Sequence, residues 1–195
     1  GSGREAPSNF QAEALKRLVS PFLLRRTKSQ VLKELPEKTE EVVECEMTAI
    51  QKKTYRSYLN SAEASKVREN LAGAGKIDYA SILSLLTRLK QVCDHPRLAD
   101  LTSGKVKRAA SLDPMDTGKW EAFEELVNEA LGSNLKVVVF TQYLGMMDIM
   151  GAWLDGKGVG YTELRGDTPD RGKHLDLFAN DPNCRVFVCS LLAGG

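Results

Sequence analysis

The segment from Leu135 to Gly195 constrains the chain more than any other, because apolar runs and helix-period segments alternate there without interruption. Lys136-Val137-Val138-Val139-Phe140 predicts a strand, Leu144 to Leu154 a helix, Gly160 to Leu164 a strand, Pro169 to Ala179 a helix, and Arg185 to Cys189 a strand. Strands alternating with helices of this length predict a parallel sheet joined by right-handed crossovers. The first and third strands are unbroken Val-rich runs, as expected where helices cover both faces of a sheet. The predicted fold class is therefore α/β, a parallel sheet with helices on both faces.

Sheets of this kind bind ligands beyond the carboxyl ends of their strands. Three loops gather there: Thr141-Gln142-Tyr143, Arg165-Gly166-Asp167-Thr168 and the stretch from Ser190 onward. Each presents hydroxyls, small residues or backbone N–H groups to an anion. Thr168 is expected as a helix N-cap with Pro169 at the first helical position, which aims the partial positive charge of a helix end at a phosphate.

Composition narrows the field without choosing a partner. The 195 residues suit one or two domains, 42% hydrophobic content supports an ordinary core, and the net charge of +1 decides nothing. Lys76 to Arg108 holds seven Lys/Arg against three Asp, a weak basic bias towards nucleic acid. Cys45, Cys93, Cys184 and Cys189 show no paired spacing and read as buried free thiols in a reducing, intracellular compartment, a bacterial cytoplasm or a eukaryotic nucleus. No apolar run approaches the roughly 20 residues of a membrane span. Gly1-Ser2-Gly3 reads as an expression scar, and the last residues stop in an apparent loop just after a core strand, so a piece of a longer protein is expected.

Upstream of the sheet the pattern is helical. Ser8-x-x-Gln11 and Thr48-x-x-Gln51 have the form of capping boxes. The first opens a helix to about Val19, and the second a helix carrying Tyr55, Tyr58, Leu59 and Ala62. Between them Phe22-Leu23-Leu24 is followed by Arg25-Arg26-Thr27-Lys28, then a short helix to Leu35 closed by Pro36. Arg25 and Arg26 suit either ion pairing to a neighbouring domain or bidentate contact with phosphate. Thr39 to Met47 has period two, predicting a half-buried strand or an extended linker. Ile82 to Cys93 is a helix with a wide apolar face, packed on the previous one as a helical subdomain, and Ser103 to Asp116 reads as a linker. Cys93 and His95, with no second cluster, do not make a zinc site. Thr117-Gly118-Lys119-Trp120 is not a phosphate-binding P-loop, since Asp113 and Trp120 stand where Gly and Ser or Thr are needed. It starts a helix ending at Gly132.

Seven stretches, in order, resemble the SWI/SNF-type family of superfamily-two helicase-like ATPases. They are Pro21 to Lys28, Leu35 to Glu40, Gln91-Val92-Cys93-Asp94-His95-Pro96, Thr117-Gly118-Lys119, Val138 to Tyr143, Leu164 to Thr168 with Arg171 and Phe178, and Val186 to Ser190 with Ala193-Gly194-Gly195. The resemblance implies a tag remnant and the tail of motor lobe one in residues 1–41, a helical protrusion and linker in 42–116, and an incomplete RecA-like C-terminal lobe in 117–195. It implies a full-length protein that couples ATP hydrolysis, with Mg2+, to sequence-independent translocation on double-stranded DNA and remodelling of protein-DNA complexes. Thr141, Gln142, Gly166, Asp167 and Ser190 would meet DNA phosphates along with Arg25 and Arg26, and Gly194 and Gly195 would belong to the ATP cleft. Leu192 departs from the family's usual Lys, and the loop from Gly166 to Arg171 is short. The P-loop lysine, the Asp-Glu pair for magnesium and the arginine-finger segment are missing from the sequence, so this piece alone is expected not to hydrolyse ATP. An RNA-directed motor of the same superfamily and a scaffold with a degenerate motor lobe are the competing readings.

Overall fold

The computed structural model describes residues 9–22, 38–74, 78–102, 104, 107–191 and 193. The chain divides into two compact units, Gly1–Val42 and Val43–Gly195. In the first, helix α1 spans Asn9–Val19 and a 3-10 turn follows at Ser20–Phe22. The expected helix from Thr27 to Leu35 lies outside the described residues.

In the second unit residues 43–48 are extended and pair with no strand, so the period-two stretch is a linker, and Val43 and Cys45 are exposed. The capping box then forms as expected: the Thr48 side chain accepts from Gln51 N at 3.1 Å and the Gln51 side chain accepts from Thr48 N at 3.0 Å. It opens α2 (Ala49–Leu59). This helix does not run to Ala62, because Ser61 caps a new one, α3 (Ala62–Glu69), by accepting from Ala64 N. Helix α4 (Tyr79–Asp94) starts on the Asp78 cap and lays Leu85 and Leu89 against Ala64 and Val67, with Tyr55, Tyr58 and Ile82 around them. This is the expected helical subdomain.

Short helix α5 (Leu98–Thr102) and 3-10 turns at Ala109–Ser111 and Pro114–Asp116 lead to α6 (Lys119–Gly132). The expected linker from Ser103 to Asp116 contributes Ala109 and Leu112 to the main core, where Leu98 of α5 is also buried. Then come β1 (Val137–Thr141), α7 (Leu144–Lys157), β2 (Gly160–Leu164), α8 (Arg171–Asn180) and β3 (Cys184–Ser190). All pairings are parallel and the order is β1-β3-β2, so the last strand is central.

The central position explains the burial of β3. Val186 and Val188 face Met147, Ile149 and Leu154 of α7 and, from α6, Trp120 and Val127. Phe187 and Cys189 face the other way, towards Leu164 and Phe178 of α8. Trp120, Phe123 and Trp153 form an aromatic triangle with centroids 5.0 to 5.7 Å apart. Each fully buried Val or Met side chain contributes about 1.5–3 kcal/mol through removal from water. Helices thus cover both faces at β3. At the edge strand β1 they do not: Val138 and Phe140 stay exposed although the run looked two-sided. An apolar run reports a tolerance for burial, and edge position decides how much of it occurs.

Candidate functional site

Thr141 and Ser190 end neighbouring strands and are direct partners across the β1/β3 ladder. Leu191 N donates to Thr141 O at 2.9 Å, continuing the ladder one residue beyond Ser190 and holding the two strand ends together. Among the described residues neither side-chain hydroxyl is engaged by another protein group, although both residues are buried. Gln142 follows on the exposed β1–α7 loop with its amide equally unengaged. Three polar side chains with unused hydrogen-bonding capacity therefore share one edge of the sheet.

Gly166 and Asp167 are exposed on the next loop. Arg171 ties that loop to the one after β3, donating to Gly166 O and to Ala193 O, each at 3.3 Å. The expected cap is corrected here. Asp170, not Thr168, caps α8, accepting from Lys173 N at 3.3 Å with its backbone in the left-handed region at φ 48°. Thr168 instead turns back to accept from Arg165 N at 2.7 Å. A carboxylate already occupies the helix end, so α8 offers no phosphate seat. Arg165 is also committed, donating to Asp148 at 2.6 Å and to Glu163 at 2.7 and 2.9 Å. Burial alone would depress its pKa, but the bonds to Asp148 and Glu163 outweigh that and hold it above the usual value.

Below the edge, Gln51 makes a connection that its cap motif did not advertise. It is 1% exposed. Its Nε2 donates towards Val92 O at 2.9 Å, Cys93 O at 3.2 Å and Thr117 Oγ1 at 3.0 Å, while Oε1 accepts from Gly118 N at 2.9 Å as well as from Thr48 N. Thr48 Oγ1 donates to Asp116 O at 2.7 Å. His95, 0% exposed, seals the same junction: Nε2 bonds Asp113 O at 2.9 Å, and Nδ1 accepts from Arg97 N at 3.2 Å. That pattern assigns the neutral tautomer with its proton on Nε2, and burial pushes the His95 pKa down. His95 closes the junction structurally, with both ring nitrogens committed to backbone groups.

The junction sets the start of α6, where Lys119 donates to Asp94 at 2.6 Å. A cleft of about 390 Å³ opens there, floored by Trp120, Met146 and Met150 and rimmed by Thr141 and Gln142. A second, of about 290 Å³, lies on the α4 side with Lys90 and Tyr143. Asp94, Lys119 and Gln142 line both. The Tyr143 hydroxyl is buried with no hydrogen-bond partner among the described residues, and desolvation, with the nearby Asp94 charge, raises its pKa. Arg25, Arg26, Gly194 and Gly195 lie outside the described residues. Sequence reasoning gave no site role to Gln51, Asp94 or Lys119: Thr48-x-x-Gln51 reads equally well as a cap alone, and Asp94 and Lys119 stood inside Gln91 to Pro96 and Thr117-Gly118-Lys119, which served only to carry the family resemblance.

A parallel α/β lobe with free polar groups at its strand ends, carrying a helical subdomain ahead of it, is the build of a helicase-like motor lobe. The SNF2-related domain family matches residues 5–98. Mouse chromodomain-helicase-DNA-binding protein 1-like is 34% identical over 94% of this chain, and the nuclear protein STH1/NPS1 of Saccharomyces cerevisiae 31% identical over 93%. The chain spans 20% and 14% of those two relatives. The structure of a Sulfolobus solfataricus SWI2/SNF2 ATPase core in complex with dsDNA superposes with a TM-score of 0.63 at 30% identity, covering 93% of this chain and 37% of that one. The chain belongs to the SWI/SNF-type family of superfamily-two helicase-like ATPases.

Proposed function

We propose that this chain supplies the phosphate-gripping edge of a motor that moves along double-stranded DNA at the expense of ATP and displaces DNA-bound proteins. The observation that carries the proposal is the unengaged set Thr141, Gln142 and Ser190, aligned at one strand edge. Hydroxyl O–H and amide N–H groups of this kind donate to phosphate oxygens without reading bases, which suits a motor that must move over any sequence. Gly166 and Asp167 extend the edge through their backbone N–H groups, and Arg25 and Arg26 add cationic contacts. Gly194 and Gly195 belong to the ATP cleft, whose magnesium ligands come from the other lobe of the complete protein. The residues 1–41, 42–116 and 117–195 are then the tail of lobe one, the protrusion with its linker, and part of lobe two. The buried thiols of Cys184 and Cys189 support an intracellular setting.

The test is binding of this chain to a 20-base-pair random-sequence DNA duplex, followed by fluorescence anisotropy across a salt series. Net contributions of roughly 0.5–1.5 kcal/mol per hydrogen bond predict that Gln142→Ala and Ser190→Ala each weaken binding about 2–10-fold. Equal binding of double-stranded RNA would favour an RNA-directed motor. Wild-type affinity in both variants would refute the proposal. The complete protein is expected to hydrolyse ATP faster with duplex DNA, and this chain alone not at all.

A further inference from the structure

We infer that Lys119 is a further phosphate-binding residue of this edge, held ready by Asp94 and set in place by Gln51; the inference rests on the proposed reading of the edge. Lys119 lines both clefts that flank Gln142, so its ammonium and the Gln142 amide face the same two openings. Its side chain is 57% exposed, whereas that of Asp94 is 23% exposed. The cation therefore stands outward and the carboxylate inward. An ammonium has three donors, and among the described residues Asp94 takes one. The other two remain for a ligand, on an exposed side chain that lines the same cleft as Thr141 and Gln142.

An exposed pair of this kind contributes little to stability in water. Its geometry is nevertheless better determined than that of an ordinary surface lysine. Lys119 is the first residue of α6, and the two residues before it are bonded by Gln51, through Thr117 Oγ1 and Gly118 N. Asp94 is the last residue of α4, and Gln51 Nε2 also donates to the carbonyls of Val92 and Cys93 just ahead of it. One buried amide thus holds the backbone on both sides of the ion pair. A lysine whose base and counter-ion are both anchored loses less freedom on meeting a phosphate than a free one, so the arrangement is preorganised for an anion.

A plain staple between α4 and α6 makes a different prediction from a phosphate ligand. In the staple, Lys119→Gln and Asp94→Asn break the same bond and act alike. In the ligand, Lys119→Gln removes a contact, while Asp94→Asn frees the cation. The experiment is duplex binding by the whole chain across 50–200 mM salt, with thermal melting of each variant to establish that it is folded. Lys119→Gln is expected to weaken binding about 5–10-fold and to lower the slope of log K against log[salt] by about 0.9, one phosphate's worth of released counterions. Asp94→Asn is expected to leave the slope unchanged and the affinity equal or higher. A wild-type slope in Lys119→Gln, or equal losses in both variants, overturns the inference. If Gln142→Ala and Ser190→Ala weaken binding while Lys119→Gln does not, the failure belongs to Lys119 alone; if wild type does not bind the duplex, the reading of the edge fails and this inference with it.

Discussion

Replacing Gln51 tests whether one buried amide joins the helical subdomain to the sheet. Gln51→Leu keeps the volume and removes every side-chain hydrogen bond, leaving the backbone N–H at position 51 on Thr48 Oγ1. The N–H groups of Thr48 and Gly118 lose their acceptor, and the Val92 carbonyl and the Thr117 hydroxyl lose a donor. Unsatisfied buried groups cost about 1–3 kcal/mol each, and partial hydration of the Thr48 end brings the expected total to roughly 3–5 kcal/mol. With a urea m-value of about 2 kcal/mol/M, the unfolding midpoint falls by about 1.5–2.5 M. Gln51→Glu sharpens the test. One carboxylate oxygen keeps the two N–H donors, but the other faces the Val92 and Cys93 carbonyls, so the acid must stay protonated to donate. Its folded-state pKa is then raised above the unfolded value of about 4.3. The associated stability is present below that value and lost as pH rises through the folded pKa. Gln51→Glu, compared with wild type at the same pH, should be less destabilised at pH 4.5 than at pH 7.5. A midpoint drop under about 0.5 M for Gln51→Leu, or a pH-independent penalty for Gln51→Glu, would refute the reasoning.

Three further substitutions probe the same packing. Tyr143→Phe deletes a buried hydroxyl that has no partner among the described residues, and should stabilise by about 1 kcal/mol, raising the melting temperature by roughly 2–4 °C; a clear drop would mean that the hydroxyl has an acceptor. Gly118→Ala places a Cβ 1.7 Å from the Glu46 carbonyl oxygen, so the linker must move; calorimetry should record a loss of about 1–3 kcal/mol. His95, its pKa depressed by burial, is neutral in the folded protein and charges on unfolding, so its contribution is complete above the unfolded value near 6.5 and declines as pH falls below it. Urea midpoints at pH 7.5 and 5.5 should show a decline in wild type that is smaller in His95→Gln, and an unchanged decline in the variant would exclude His95 as its source.

Local rules were legible wherever neighbouring residues set them. The Thr48 capping box and the strand Gly160–Leu164 stand where the chain's own pattern put them. Ser61 caps a second helix, a break hidden by the apolar spacing that ran on to Ala62. At Thr168 the good cap residue lost to Asp170, because a hydroxyl that closes the β2 loop on Arg165 N is unavailable to the helix two residues later.

The sequence by itself determined the alternation of strands and helices, the parallel sheet and the identity of the polar residues at its strand ends, because hydrophobic period and turn chemistry act over a few residues. Only the tertiary structure decided that β3 is central, that β1 keeps one apolar face exposed, that Arg165 is spent on Asp148 and Glu163, and that Gln51 bridges three segments. Those facts depend on which elements meet in space, and Gln51 and Gly118, bonded to each other, stand 67 positions apart along the chain. Local propensity carries no information over that distance; the buried amide selects its partners only once the helices and the sheet have closed around it.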